Sequence, residues 1–172
     1  MTGQSVAPHI IRNARETEID SLARIWFDGW QDAHADILPA ELARLRTLDS
    51  FRERLHTAID TVRVAGPDGT PLGFSMVKGD ELYQLYVSTR ARGTGAAAAL
   101  VHDVIAQFRE AGIQTGWLAC AIGNDRAARF YEKTGWTRVR TMTSQLPTPE
   151  GIFPLDVWRY EISVDRVSPT QA

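Results

Sequence analysis

The sequence predicts one α/β (α+β) domain, a mixed sheet of about seven strands with helices on both faces. Three observations carry that prediction. The middle of the chain holds short alternating strands separated by glycine turns, the pattern of an antiparallel meander. A long helix with one apolar face follows the meander. Beyond it lies a strand of continuous apolar character, as expected of a central strand covered on both sides. At 172 residues, 44% of them hydrophobic, the chain can bury a core without disulfides or a metal.

The elements follow in the order β-α-α-β-β-β-α-β-α-β-β. Ile10 and Ile11 mark a first strand. Thr17 and Asp20 have the spacing of a capping box for the helix after it. Ile19, Leu22, Ala23, Trp26, Phe27 and Trp30 give that helix an apolar face. Pro39 opens a second, short helix with Leu42 and Leu45. Ser50 and Glu53 form a further capping box ahead of Phe51, Leu55 and Ile59, so the first third holds two or three helices. Val62 and Val64 alternate with polar neighbours, Gly66-Pro67-Asp68-Gly69 turns the chain, and Leu72 to Val77 returns. After the Lys78-Gly79-Asp80 turn, Leu82 to Val87 is a third strand rich in aromatic and branched residues. Leu100, Val101, Val104, Ile105 and Phe108 share a face of the long helix, which Gly112 closes. Trp117 to Ile122 is the apolar strand. Asn124 or Asp125 caps a last helix that ends at Gly135. Strands around Thr137 to Leu146 and Leu155 to Ile162, joined by Pro147 to Gly151, complete a domain over residues 1–164. A polar tail covers residues 165–172.

Composition removes several function classes. Nineteen basic and 21 acidic residues leave a net charge of −2, with no concentrated basic run, so a nucleic-acid partner is not expected. The single cysteine, Cys120, excludes a disulfide framework and any multi-thiolate zinc site. His9, His34, His56 and His102 lack metal-ligand spacing, so no metal is expected. No apolar run approaches the roughly 20 residues that span a bilayer. Met1 to Asn13 lacks the pattern of a secretory leader, so a cytoplasmic protein is expected.

The chemistry concentrates between Leu85 and Ala97, where a strand ends, a loop turns on Gly93 and Gly95, and a helix begins. Backbone N–H groups at such a junction lack internal partners, and the helix dipole adds positive charge, which suits a phosphate. Arg90 and Arg92 add cations able to bond phosphate bidentately. The Gly-Lys-Ser/Thr ending of a Walker loop is missing. A dinucleotide fingerprint would open a parallel βαβ unit, whereas this strand closes a meander.

A second segment, Asn124 to Trp136, adds specificity. Arg92-x-x-Gly95-x-Ala97 and Asn124-x-x-Ala127-x-x-Phe130-Tyr131-x-x-x-Gly135-Trp136 together resemble the two signatures of the GNAT superfamily of acyl-CoA-dependent N-acetyltransferases. Trp136 stands where the family has phenylalanine. The element order agrees over about residues 10–163.

The resemblance implies an enzyme that moves the acetyl group of acetyl-CoA to a primary amine of a small molecule or peptide, by direct attack in a ternary complex. It implies that two parallel strands splay to admit the pantetheine arm. Leu85, Tyr86 and Val87 would then flank that arm, with backbone groups of Leu85 and Val87 pairing with it. Arg92, Gly93, Thr94, Gly95, Ala96 and Ala97 would cradle the pyrophosphate, and Asn124 and Ala127 would adjoin the arm. Val87 N–H would face the thioester oxygen, and Tyr131 would return a proton to the departing sulfur. Glu81 is the first candidate for the base and Asp80 the second; two solvated carboxylates at a strand start explain them equally well. Trp26, Trp30 and His34 fall where the family builds its acceptor pocket, although core packing also accounts for the tryptophans. Asp28, Asp32 and Asp36 recur every four residues, as an anionic strip favouring a cationic acceptor or as a solvated face. Trp158 and Tyr160 could line the acceptor cleft or a dimer contact, dimers being frequent in the family. A noncatalytic acyl-CoA-binding module on the same fold is the alternative.

Overall fold

The computed structural model describes residues 9–164. The polar tail at 165–172 and the first residues of the segment read for a leader lie outside them. The chain runs through β1 (Ile11–Asn13), α1 (Ile19–His34), α2 (Ala40–Leu45), α3 (Leu48–Ala58), β2 (Val62–Ala65), β3 (Gly73–Lys78) and β4 (Glu81–Val87). It continues through α4 (Ala96–Glu110), β5 (Thr115–Ala121), α5 (Asp125–Lys133), β6 (Thr137–Thr148) and β7 (Gly151–Ser163). The strands form one seven-stranded sheet in the order β1-β2-β3-β4-β5-β7-β6. Every neighbouring pair is antiparallel except β4–β5, which is parallel.

Alternation along the strands divides the core between the two faces. Val62, Val64, Phe74, Met76 and Tyr86 pack with Leu22, Trp26, Trp30, Phe51 and Leu55 beneath α1–α3. Leu82, Leu85, Leu118 and Tyr160 pack with Val101, Val104, Phe108 and Ala128 beneath α4 and α5. The apolar stripes read from the sequence are the stripes that are buried, and each large aliphatic or aromatic side chain contributes about 1.5–3 kcal/mol.

The helix starts are built differently from the expectation. Thr17 and Asp20 do not cap α1. The chain enters through a 3-10 turn, Glu16–Glu18, and the Glu18 carboxylate accepts from Arg15 N–H at 3.0 Å. Only 2% exposed, Glu18 also takes Nη1 and Nη2 of Arg12 at 2.8 and 2.7 Å and the amide of Gly69 at 3.2 Å. Arg12 further donates to the carbonyls of Gly66 and Pro67. One ion pair thus ties β1, the start of α1 and the β2–β3 turn. Ser50 does not cap α3 either: Thr47 Oγ1 accepts the Ser50 amide at 3.1 Å. Of the two candidates for α5, Asn124 is the cap, its Oδ1 accepting from Ala127 N–H at 3.3 Å. The last hairpin is longer than expected. Its ladder runs to Thr148↔Gly151, which β6 tolerates despite Pro147 because it is an edge strand.

Two irregularities of β4 decide where a site can form. Against β3, its register steps from Met76↔Gln84 to Val77↔Leu82, so Tyr83 is an extra, bulged residue. Against β5, it pairs only at Glu81↔Trp117, where Trp117 N–H donates to Asp80 O at 3.0 Å. Beyond that point the two seven-residue strands separate.

Removing one partner of a buried ion pair strands the other charge, so Glu18→Ala is expected to cost about 3–5 kcal/mol in denaturant unfolding. Arg12 holds the Glu18 carboxyl below its usual range. Its stabilisation is therefore complete above the ordinary carboxylate pKa and is lost as pH falls through the lowered value. The stability gap between wild type and Glu18→Gln should narrow in acid; a gap independent of pH would exclude the ion pair as its source.

Candidate active site between the splayed strands

The direction of the β4 amides follows from one hydrogen bond. Ser88 N–H donates to Leu72 O at 2.8 Å on the β3 side. Amides alternate along a strand, so Tyr86 also faces β3, while Leu85 and Val87 turn theirs toward the gap left by β5. The Tyr83 bulge resets this parity, which lets Asp80 face β5 at the closed end.

The gap opens on the α4–α5 side into a cleft of about 780 Å³. Leu85, Tyr86 and Val87 form one wall; Asn124, Ala127, Phe130 and Tyr131 form the other. Arg92, Gly93, Gly95, Ala96 and Ala97 close one end. Gly93 and Gly95 have φ of +77° and +89°, and Gly95 is the N-cap of α4. A Cβ on either would meet nothing within 4 Å, so their requirement is conformational. The first residues of α4, Ala96 to Ala98, line the cleft, and the amides of a helix's first turn have no intrahelical acceptors. Thr94 is turned away from the cleft: its hydroxyl bonds the Ala91 carbonyl and its own carbonyl accepts from His9. Arg92 reaches Asp32 of α1 at 2.7 Å, and Arg126 of α5 reaches the same carboxylate at 3.2 Å. Arg92 in turn holds the Asp32 carboxyl below its usual range. Asp32 is thereby ion-paired beside the phosphate-type loop rather than free as part of an anionic strip. Asp28 is exposed and 3.8 Å from Arg24.

Tyr131 is fixed by ring contacts to Trp136 and Tyr160, with centroids 6.1 and 6.2 Å away. Its hydroxyl makes no hydrogen bond among the described residues, and burial pushes its pKa above the ordinary phenol value. The phenol is therefore protonated at neutral pH. Cys120 is buried and its thiol is pushed up to about 12 by desolvation, so it supplies no thiolate nucleophile.

On the α1 side lies a smaller pocket of about 130 Å³. Trp26, Trp30 and His34 line it together with Glu81 and Tyr83, and Tyr86 borders both spaces. The tryptophans are thus core and pocket wall at once. Burial raises the Glu81 carboxyl above its ordinary value and lowers His34 to about 4, leaving that imidazole neutral, with Nδ1 buried and unpartnered among the described residues. Asp80 is committed elsewhere, accepting the Trp117 indole N–H at 2.9 Å. Tyr160 is fully buried and Trp158 lies under Arg138, so neither lines this pocket.

Three residues around Tyr86 were not read from the sequence: Arg46 and Arg54, which line this pocket, and Gly29, which lines the cleft. Arg54 follows Phe51 by three residues on the inner face of α3, a charge in a core position that could have marked it. A Cβ on Gly29 would come within 2.6 Å of the Tyr86 ring, so this helical glycine makes room for the residue dividing the two spaces.

This arrangement agrees with the relatives of the chain. Residues 19–136 match the acetyltransferase (GNAT) family. The chain belongs to that family. It is 38% identical over 117 residues to uncharacterised N-acetyltransferases of Mycobacterium tuberculosis and Mycobacterium bovis, covering 65% of this chain and 72% of each relative. A GCN5-related N-acetyltransferase from Rhodopseudomonas palustris superposes with a TM-score of 0.72 at 18% identity, over 94% of this chain and 99% of the other. Apo YjaB from Escherichia coli gives 0.69 at 24% identity, over 89% and 96%. The PaiA N-acetyltransferase of Thermoplasma acidophilum, solved with coenzyme A, gives 0.63 at 17% identity, over 91% and 99%. The GNAT assignment makes the protein an acyltransferase, and the expected mixed sheet is the family's fold.

Gly95→Ala is expected to cost about 1–2 kcal/mol through backbone strain alone. Gly29→Ala should cost about 1–3 kcal/mol by pressing on Tyr86, outweighing alanine's better helix propensity of about 1 kcal/mol. Paired denaturation curves check both, and a stabilised Gly29→Ala protein would mean that the Tyr86 ring yields freely.

Proposed function

We propose that the protein transfers the acetyl group of acetyl-CoA to a primary amine of a small molecule or peptide, both bound at once. The observation that carries this is the junction at Tyr86. A long cleft ending in a phosphate-type loop meets, through the gap between β4 and β5, a small pocket lined by the half-buried Glu81 carboxylate. The residues fit coenzyme A by their own chemistry. Open amides at the start of α4 suit its pyrophosphate, and the edge of β4 offers a strand-like partner for its arm. The structures of the Thermoplasma protein with coenzyme A and of Salmonella typhimurium yncA with acetyl-CoA support the same reading.

Acetyl-CoA supplies an activated acyl group as a thioester. Leu85 and Val87 present the two strand amides that face the gap, for the pantetheine carbonyl and for the thioester oxygen as it gains negative charge. A fixed donor of that second kind is worth about 3 kcal/mol. An amine with an ordinary pKa near 10 is protonated at neutral pH. Glu81, its proton affinity raised by burial, takes that proton, directly or through water. The amine nitrogen then bonds to the acetyl carbon, the carbon–sulfur bond breaks, and the surplus proton on the new amide nitrogen is released to solvent, as is the one held by Glu81. Tyr131 gives its phenolic proton to the leaving sulfur and is reprotonated from solvent. Asn124 and Ala127 hold the α5 wall in register with the arm.

Tyr131→Phe is expected to lower kcat by about 10- to 1,000-fold while calorimetric coenzyme A affinity stays within error. Turnover near the wild-type rate would remove Tyr131 from the mechanism. In a pH profile of kcat/KM, wild type should lose activity on the acid side through a limb lying above the ordinary carboxylate range, because a carboxyl of raised pKa takes up its proton there. Glu81→Gln should abolish that limb and leave the amine's own limb near its pKa. Coenzyme A binding without thiol release across a broad amine panel would instead favour the noncatalytic binding module.

A further inference from the structure

The acceptor pocket holds two arginines with no counter-ion among the described residues. Arg46, at the end of α2, is 4% exposed, and its one hydrogen bond among those residues runs to Pro147 O at 3.3 Å. Arg54 of α3 lies against the pocket's aromatic wall, its guanidinium carbon 4.4 Å from the Trp26 ring centroid, and donates to Tyr83 Oη at 2.8 Å. Neither forms an ion pair among the described residues, whereas Arg12, Arg44, Arg52, Arg63 and Arg92 each hold a carboxylate. The two cations are close enough that Arg54 depresses the Arg46 pKa, after the larger effect of burial. A buried guanidinium with unfilled donors is costly, and two of like sign side by side more so, unless an anion completes the site.

The charges in the pocket are segregated. Glu81 is the carboxylate among its lining residues, and the charged groups that perturb it are Lys78, Asp80 and Arg159 rather than the two arginines. One end therefore suits an amine and the other an anion. At about 130 Å³ the space fits a small head group.

On the basis of acetyl transfer to an amine, we infer that the acceptor is a small amine that also carries a carboxylate, an amino-acid-like zwitterion, with the carboxylate bound by Arg46 and Arg54 and the amine presented to Glu81. This reverses the cationic preference that the aspartate strip of α1 suggested. The guanidinium forks match a carboxylate bidentately, and the aromatic rings under Arg54 fix its plane.

The test compares acetylation of matched amines with and without the carboxylate: glycine against methylamine, β-alanine against ethylamine, phenylalanine against phenethylamine, and arginine against agmatine. Rates are expressed per unprotonated amine, because the carboxylate also lowers amine basicity. The best carboxylate-bearing member should exceed its partner in kcat/KM by about 10- to 100-fold, the worth of one or two charge-assisted hydrogen bonds. Arg46→Gln and Arg54→Gln should each erase most of that preference by raising KM for the carboxylate-bearing amine, with KM for the carboxylate-free partner changed far less and the acetyl-CoA KM unchanged. Preference for the carboxylate-free amines, or a preference insensitive to both substitutions, overturns the inference. Absence of product from every pair overturns it too, and calorimetry with coenzyme A then separates the causes. Heat with coenzyme A leaves the acetyl-transfer reading standing and refutes the acceptor class, whereas no heat refutes both. The wild-type comparison decides the matter even if a variant folds poorly.

Discussion

The site depends on the failure of two neighbouring strands to stay together. β4 and β5 are the one parallel pair of the described sheet and share a single register position, at Glu81 and Trp117. Glu81 sits at that position, and the rest of the proposed chemistry lies beyond it. A closed ladder would have consumed the amides of Leu85 and Val87; the divergence leaves them in the middle of a sheet, where an unmade hydrogen bond costs about 1–3 kcal/mol. That cost is bearable because the faces on either side are held by large separate clusters, one under α1–α3 and one under α4–α5. The bulge at Tyr83 makes the two ends of β4 compatible, pairing with β5 at one end and exposing amides at the other.

Tyr86 is the second consequence of that geometry. Its ring stacks near Phe74, 6.1 Å between centroids, and lies 6.4 Å from Trp26, so the aromatic cluster that stabilises the α1 side also sets the partition between the two spaces. Gly29 permits it, since any other residue there would occupy the volume of the ring. Core packing and site building are one operation here. This is why Trp26 and Trp30 answer to both descriptions offered by the sequence.

The cleft was legible because it is local. A strand end, two glycines with positive φ and a helix start are contiguous, and Asn124 to Tyr131 is another contiguous stretch, so two short motifs and the family resemblance they carry marked most of the residues that line it. Thr94 escaped because a loop residue's direction is set by a hydrogen bond, here to Ala91, that spacing does not reveal. The helix caps were misplaced for a related reason. Glu18 outcompetes Thr17 through Arg12 and Gly69, partners 6 and 51 residues away. The pocket on the α1 side was scarcely legible, being assembled from α1, α2, α3, β4, β5 and the β6–β7 hairpin. The hairpin lies outside the segment matched by the family, residues 19–136. The arginines reach the pocket from helices whose apolar pattern says only which face is buried.

Burial acts in the same direction on both proposed proton carriers. The Tyr131 phenol and the Glu81 carboxyl each hold their protons more tightly than in water, and desolvation is the largest cause for both. For Tyr131 this keeps a donor loaded at neutral pH; for Glu81 it moves an otherwise feeble base toward the basicity that deprotonating an amine requires. A thiolate leaving on one side and an ammonium arriving on the other need opposite services, and the two proposed carriers, on either side of the splayed strands, would supply both. An anion bound by Arg46 and Arg54 would likewise count for more than in open solvent, because Arg46 is buried. Acceptor recognition and proton transfer would then rest on one physical cause, the desolvation of charged groups on either side of Tyr86.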